Sequence, residues 1–284
     1  MVTALAPWRS RVGGRLQGGP GRRGEGGPAR AAWARAGARG IGFEWSVWLA
    51  GGLVTASTAL AAGPGELPPW PETVASSGPA PSGWRPVGLP KGKAPPSRLA
   101  PVTVDGARVL ELQAEASYGT LVHDLPPGAP AGSLSWRWRL LQPNTAANLR
   151  EKAGDDSPLK VCASFELPLA AVPFGERQLL RLARTVSGQD LPAATICYVW
   201  DSRLAAGTAL DNAYSRRMRW LVLRGPEASL GGWQAERRDL AADFLRLFGD
   251  EAGTVPPLKA IVVGADADNT GGRSLGQIGA MRLD

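Results

Sequence analysis

The chain has 284 residues, and its apolar fraction of 44% and charged fraction of 20% are typical of a globular protein. Of its formal net charge of +7, residues 1–62 carry eight arginines and two glutamates, or +6. Residues 63–284 are therefore almost neutral, which argues against a nucleic-acid partner, because DNA and RNA are bound through a basic face.

The N-terminal segment has the composition of a leader. Residues 1–40 are rich in Gly, Ala, Arg and Pro without a hydrophobic period, which predicts disorder. The apolar stretch Val47–Ala62 then ends in Ala59–Ala61, a small-x-small pattern typical of a signal-peptidase site. We interpret residues 1–62 as a basic leader plus signal peptide cleaved near Ala61, which predicts a periplasmic or secreted protein. The alternative is an uncleaved anchor, but a stable membrane span needs about 20 apolar residues.

Two further segments follow the leader. Residues 63–100 contain many prolines and no clean period, and we interpret them as a linker or extended arm. Residues 101–284 are predicted to form a single domain. Its strands are expected, in chain order, at Arg108–Ala114, Thr120–Leu125, Ser133–Leu140, Lys160–Leu167, Thr195–Trp200, Met218–Arg224, Ala260–Gly264 and Gly276–Leu283.

The strand Ser133–Leu140 has the clearest pattern. Its apolar residues, which include Trp136 and Trp138, alternate with polar residues that include Arg137 and Arg139. Since successive side chains of a strand point to opposite faces, the two tryptophans are predicted in the core. The two arginines then point to a second face.

Only two segments look helical. Glu176–Arg184 is a weak candidate, whereas Asp239–Phe248 has an apolar face, a capping Asp239 and a terminating Gly249. Many short strands with few helices predict an all-β fold, mainly β with one or two short helices. We expect a jelly-roll-like β-sandwich.

The chain has two cysteines, Cys162 and Cys197, and both lie in predicted strands. An oxidising compartment permits a disulfide between them. Two buried free thiols are the alternative, because free cysteine is among the most buried residue types.

Four short strings occur together in a fixed order: Leu134–Trp138, Lys152–Asp156, Tyr198–Trp200 and Asp266–Gly271. Their order and spacing resemble the bacterial domain of unknown function 3047 family, from roughly Trp84 to the C-terminus. The resemblance implies an exported domain and carries no assigned activity.

The string Asp266–Gly271 offers alternating oxygen side chains followed by glycine. Such a loop can bind a hard cation, and Ca²⁺ through Asp266 and Asp268 is one hypothesis. The alternative is a polar turn in which Asp and Asn side chains bond to their own backbone and Gly271 adopts a positive φ.

Further candidate ligand-binding residues occur in two other places. Lys152, Asp155 and Asp156 lie in a loop between strands. They could clamp a ligand, or they could form a surface ion pair with Asx turns. Tyr198 and Trp200 are interpreted as more open aromatic side chains that could stack on sugar rings.

Antiparallel strands would bring these loops to one rim of the sandwich. Asp266, Asp268 and Asn269 would then meet the carboxylates of the Asp155 loop there. Lys152 and Arg216, or a calcium ion, would then neutralise the negative charge of these carboxylates.

We therefore predict a non-catalytic binding module for a carbohydrate or other cell-envelope ligand. The alternative is a glycoside hydrolase or lyase-type enzyme, which would need two carboxylates that face each other across a cleft.

Overall fold

The computed structural model describes residues 65–74 and 83–284. The α-helices of these ranges are α1 (Phe174–Ser187) and α2 (Leu240–Phe248). The strands are β1 (Arg85–Val87), β2 (Arg98–Val104), β3 (Ala107–Glu115), β4 (Tyr118–Ala129), β5 (Ser133–Gln142), β6 (Leu159–Phe165), β7 (Ala194–Trp200), β8 (Ala209–Asp211), β9 (Met218–Arg224), β10 (Gln234–Asp239), β11 (Leu258–Asp266) and β12 (Arg273–Leu283).

The strands form two sheets. The seven-stranded sheet has the order β1-β4-β11-β6-β7-β9-β8, and the five-stranded sheet has the order β10-β5-β12-β3-β2. Neighbouring strands are antiparallel except for β7 and β9, which run parallel. One apolar core contains side chains of both sheets, so the two sheets pack face to face. The prediction of a mainly β, jelly-roll-like sandwich is confirmed.

Strand β5 shows how alternation builds this core. Trp136 and Trp138 are buried, and their rings meet edge to face at 5.5 Å. Arg137 and Arg139 lie on the opposite face, where both guanidinium groups contact the Trp233 ring at 4.8 and 4.7 Å. The predicted inner and outer faces of this strand are therefore correct.

The two aromatic side chains expected to be open belong to this core instead. Tyr198 and Trp200 are almost fully buried on the inner face of β7. The Tyr198 hydroxyl donates to Asp243 of α2 at 2.8 Å, and Trp200 packs against Trp138 with ring centroids 5.9 Å apart. The prediction that they line a binding surface was wrong, because the last residues of β7 keep the inward alternation up to the strand end.

Both predicted helices exist. Helix α2 begins after Asp239, whose carboxylate accepts a hydrogen bond from the Ala242 amide at 2.9 Å, and it ends before Gly249, as the sequence predicts. Helix α1 is longer than the predicted segment. Its apolar pattern is weak because Leu179, Leu182 and Val186 are exposed and only Leu180 is buried.

The proline-rich segment does not behave as a linker. Leu67, Trp70 and Trp84 are buried in the main core, and β1 pairs with β4. Strand β2 begins at Arg98 and pairs with β3 along its length. The predicted domain boundary at residue 101 is therefore too late, since prolines hide the apolar residues of this segment from a periodicity test.

The predicted signal peptide and its cleavage site near Ala61 lie outside the described residues. Across residues 65–74 and 83–284, no helix combines the length and the apolarity that crossing a membrane requires.

Candidate functional site

The paired-aspartate loop and the Asp266–Gly271 turn meet at one rim of the seven-stranded sheet. Strands β6 and β11 are antiparallel and place Lys160 opposite Gly264, so the start of one strand lies beside the end of the other. The Asp266 amide donates to the Ser157 carbonyl at 3.0 Å. The two loops therefore converge as strand geometry predicts.

Asp156 holds the two loops together. Its carboxylate accepts hydrogen bonds from the backbone amides of Asn269 at 3.0 Å and Thr270 at 2.8 Å. The side chains of Thr270, Asn144 and Asn269 donate to the same carboxylate at 2.5, 3.4 and 3.3 Å. Gly271 adopts a φ of +64°. The segment is thus a polar turn with the positive φ predicted for Gly271, and the buried carboxylate that closes it comes from Asp156 of the other loop.

Lys160 and Asp266 form a buried ion pair under this turn. The Lys160 Nζ lies 3.0 Å from Asp266 Oδ1, and the two side chains are 6% and 7% exposed. Asp266 Oδ1 also accepts from the Ser157 amide at 2.9 Å. Burial raises the pKa of Asp266 to about 6 against the opposing effect of the ammonium group. Burial opposes the charge of Lys160 as well, but Asp266 raises the Lys160 pKa above its ordinary value, so both groups are charged at neutral pH.

The oxygen donors at this rim do not fit the predicted calcium site. Asp156, Asp266 and Asp268 each bring a carboxylate oxygen within 4.8 Å of the others. However, both oxygens of Asp156 already accept several hydrogen bonds, which occupy the lone pairs that a cation would need. The Lys160 ammonium lies on Asp266 and would repel a second cation. Lys160 itself therefore supplies the neutralising charge.

The other predicted binding residues are distributed around this rim. Asp155 is buried and accepts from the Asn212 side chain at 2.6 Å. The exposed Tyr214 hydroxyl lies 2.9 Å from Asn269 Oδ1 and 3.0 Å from the Lys152 carbonyl. The Lys152 ammonium lies 5.5 Å from the centre of the Tyr214 ring.

Arg216 does not neutralise the carboxylate cluster, contrary to the prediction. Its Nε pairs with Asp211 at 3.0 Å in an exposed ion pair. Sequence reasoning chose Arg216 and not Lys160, because the alternation of β6 does not reveal that Lys160 lies under the turn.

A groove lies next to the cluster, on the outer face of the seven-stranded sheet, and has a volume of about 810 Å³. Its floor is formed by residues that alternate with the core residues of β6 and β7, including Ser164, Thr195 and the disulfide-bonded pair Cys162 and Cys197. The Lys160 side chain also lines it and so connects the groove to the buried ion pair. The disulfide decides between the two cysteine alternatives that the sequence left open.

Two ion pairs form the rim of the groove. Arg85 of β1 binds both oxygens of Asp124 on β4, at 2.6 and 2.9 Å. Lys259 of β11 pairs with Asp190 in the segment after α1. The bonds to Arg85 and Lys259 lower the pKa values of Asp124 and Asp190, respectively. Sequence reasoning missed these four residues, because they come from distant segments and form no motif.

The chain is similar to several solved structures at low sequence identity. Among solved structures, endoglucanase 3 of Trichoderma harzianum from family GH12 is 10% identical with a TM-score of 0.38, covering 71% of this chain and 90% of that one. The CBM28 carbohydrate-binding module specific for non-crystalline cellulose is 10% identical with a TM-score of 0.31, covering 76% and 96%. The K1 cleaved adhesin domain of Lys-gingipain from Porphyromonas gingivalis W83 is 8% identical with a TM-score of 0.31, covering 72% and 91%.

No curated protein matches the chain significantly. The family profile described as protein of unknown function (DUF3047) matches residues 82–282, which include all four strings and both sheets except the last residue of β12. The chain therefore belongs to the DUF3047 family.

Proposed function

We propose that this protein is a non-catalytic binding module that holds a neutral, polyhydroxylated ligand such as a glycan in the groove of the seven-stranded sheet. The observation that carries this proposal is the groove itself. Its volume of about 810 Å³ lies within the range of small-ligand sites, and it is open to solvent.

The lining of the groove supports a sugar-like ligand. Val122, Val262 and Met218 supply apolar surface, on which the carbon-bound hydrogens of a sugar ring can pack. The ion pairs Arg85–Asp124 and Lys259–Asp190 each place donors beside acceptors at the rim. Vicinal hydroxyl groups of a sugar both donate and accept hydrogen bonds. They can therefore bond to both members of an ion pair, whereas a charged ligand is repelled by one of the two members.

The protonation states of the rim favour binding over catalysis. A glycosidase needs one carboxylic acid that remains protonated to donate to the leaving group. Asp124 and Asp190, the acidic side chains that line the groove, have pKa values lowered by their basic partners. Asp155, Asp266 and Asp268 have pKa values raised by burial, but none of these three side chains lines the groove.

A glycan array probed with the full chain tests the proposal, and calorimetry with the strongest hit measures its affinity. We expect the double substitution Lys259→Ala and Asp190→Ala to weaken binding at least about tenfold, equivalent to about 1.4 kcal/mol. Removing this exposed ion pair should change stability by less than about 1 kcal/mol.

The exposed pair Arg273–Glu115 on the five-stranded sheet provides the matched control. The double substitution Arg273→Ala and Glu115→Ala should leave the affinity unchanged. Equal weakening by both double variants would show that the groove is not the binding site. Release of reducing sugar from a bound glycan would favour the enzyme alternative.

We also propose that the protein is exported by its leader, on the basis of the apolar stretch that ends in Ala59–Ala61. Mass spectrometry of the protein expressed in a Gram-negative host should find a periplasmic form whose N-terminus lies near Ala62. Recovery of the intact chain from the membrane fraction alone would contradict cleavage.

A further inference from the structure

Helix α1 exposes more apolar surface than folding explains. Phe174, Leu179, Leu182 and Val186 are between 60% and 70% exposed. They account for four of the seven exposed large apolar side chains within residues 65–74 and 83–284. Leu179, Leu182 and Val186 have the i, i+3, i+7 spacing of one helix face, so the three form a continuous stripe.

The opposite face attaches the helix to the sandwich. Leu180 is buried in the main core, and the Arg184 guanidinium donates to the Leu191 carbonyl at 2.9 and 2.6 Å. Glu176 pairs at 3.5 Å with the buried Arg217, which directly precedes β9. Because these contacts hold the helix, the apolar stripe is presented outward in a fixed orientation.

The charges of the helix leave it cationic. Its one acidic residue, Glu176, is engaged by Arg217. Arg177 and Arg181 form no ion pair within the part of the chain that the structure describes, and the Arg177 guanidinium lies 5.7 Å from the Phe174 ring centre. The exposed side therefore combines an apolar stripe with the exposed Arg181, and the half-buried Arg177, whose Nε is buried, lies at its edge.

We propose that α1 is a membrane-docking element that lies in the interface of an anionic lipid surface. An interfacial helix buries an apolar face between lipid headgroups, while its Arg side chains contact lipid phosphates. The four apolar side chains are between 60% and 70% exposed, as burial of an apolar helix face in the bilayer interface requires. The charge of Arg177 and Arg181 complements anionic headgroups.

This inference goes beyond the proposed ligand-binding function and is independent of it. The end of α1 and the segment that follows it, from Ser187 to Pro192, contribute to the groove wall. Docking through α1 would therefore hold the groove close to the lipid surface. Vesicle binding can be measured without any glycan, so the two proposals fail separately.

A site-specific label tests the inference in the full chain. The only two cysteines of the sequence form the disulfide, so an introduced cysteine is the single reactive thiol. Gln178→Cys places an environment-sensitive dye among the exposed apolar side chains of α1. The control Ala242→Cys places it on the exposed side of α2, beside Leu245.

Labelled protein is titrated with phosphatidylcholine vesicles, with and without about 30 mol% phosphatidylglycerol. We expect the dye at position 178 to shift its emission to the blue and to be quenched by lipid-borne quenchers, only with anionic vesicles. The dye at position 242 should not respond. The double substitution Leu179→Ser and Leu182→Ser should reduce the apparent affinity at least about tenfold, and Arg181→Gln about fivefold.

All variants share residues 1–62, so vesicle binding through the leader cannot produce a difference between them. No response at position 178, or equal responses at positions 178 and 242, would overturn the proposal. A response at position 178 without vesicles that grows with protein concentration would assign the helix face to a second copy of the chain, which also overturns it.

Discussion

Lys160→Met should lower the free energy of unfolding by about 3–5 kcal/mol at neutral pH. The substitution keeps most of the side-chain volume but removes the ammonium group that lies 3.0 Å from Asp266. The Asp266 carboxylate is then left buried without its cation, next to the carboxylates of Asp156 and Asp268. Removing one partner of a buried ion pair costs far more than the pair itself contributes.

The pH dependence of this loss gives a second readout. In the wild type, Asp266 has a pKa of about 6, and without the ammonium its pKa in the folded state must rise further. At pH values between this raised pKa and the ordinary carboxyl pKa of about 4, Asp266 of the folded variant therefore holds a proton that the unfolded chain does not hold. Since the folded state binds more protons in this window, the variant gains stability as the pH falls from this raised pKa. The wild type gains stability in the same way only below its own Asp266 pKa of about 6, so the loss should shrink as the pH falls towards 6 and level off below it.

Urea unfolding at several pH values measures both effects. The double variant Lys160→Met and Asp266→Asn should be more stable at neutral pH than Lys160→Met alone, because no unpaired charge remains. Arg85→Met is the matched control, since the Arg85–Asp124 pair is about half exposed. Its cost should stay below about 1 kcal/mol. Similar losses for the Lys160 and Arg85 variants would show that Lys160 is not a buried counter-charge.

The sequence predicts the sandwich well where one face of a strand is apolar and the other polar. The alternation around Trp136 identifies β5 and its inner face correctly. Prediction failed at short strands with few apolar residues, such as β1, β8 and β10, whose existence depends on pairing with neighbouring strands. The prediction that Tyr198 and Trp200 are open was also wrong, because a polar residue after the end of a strand does not show whether the last side chains of that strand are buried.

The candidate site was only partly predictable, for a related reason. The convergence of Asp156, Asp266 and Asp268 follows from antiparallel strand ends, which sequence order can indicate. The role of Lys160 could not be predicted, because it depends on which side chain of β6 lies under the turn. The groove depends on segments that are far apart in the chain, so its role in binding stays a proposal.

Loss of the disulfide should have a comparable effect on stability. We expect the double substitution Cys162→Ala and Cys197→Ala to lower the free energy of unfolding by about 4 kcal/mol. The bridge joins positions 35 residues apart, on the adjacent strands β6 and β7. A cross-link of that span removes conformational freedom mainly from the unfolded chain, so its loss stabilises the unfolded state.

The position of the bridge predicts a second effect. Both cysteines lie on the groove floor and in a small apolar cluster with Val199, Trp220 and Val222. Alanine leaves part of that volume empty, so we expect weaker ligand binding as well as lower stability. Urea unfolding of the oxidised protein, the reduced protein and the alanine variant separates the contribution of the cross-link from that of the lost side-chain volume. The reduced protein keeps both sulfur atoms and should lose stability while retaining most of its affinity. If reduction leaves the unfolding midpoint unchanged, the bridge does not constrain the unfolded chain, and the expected loss of about 4 kcal/mol is wrong.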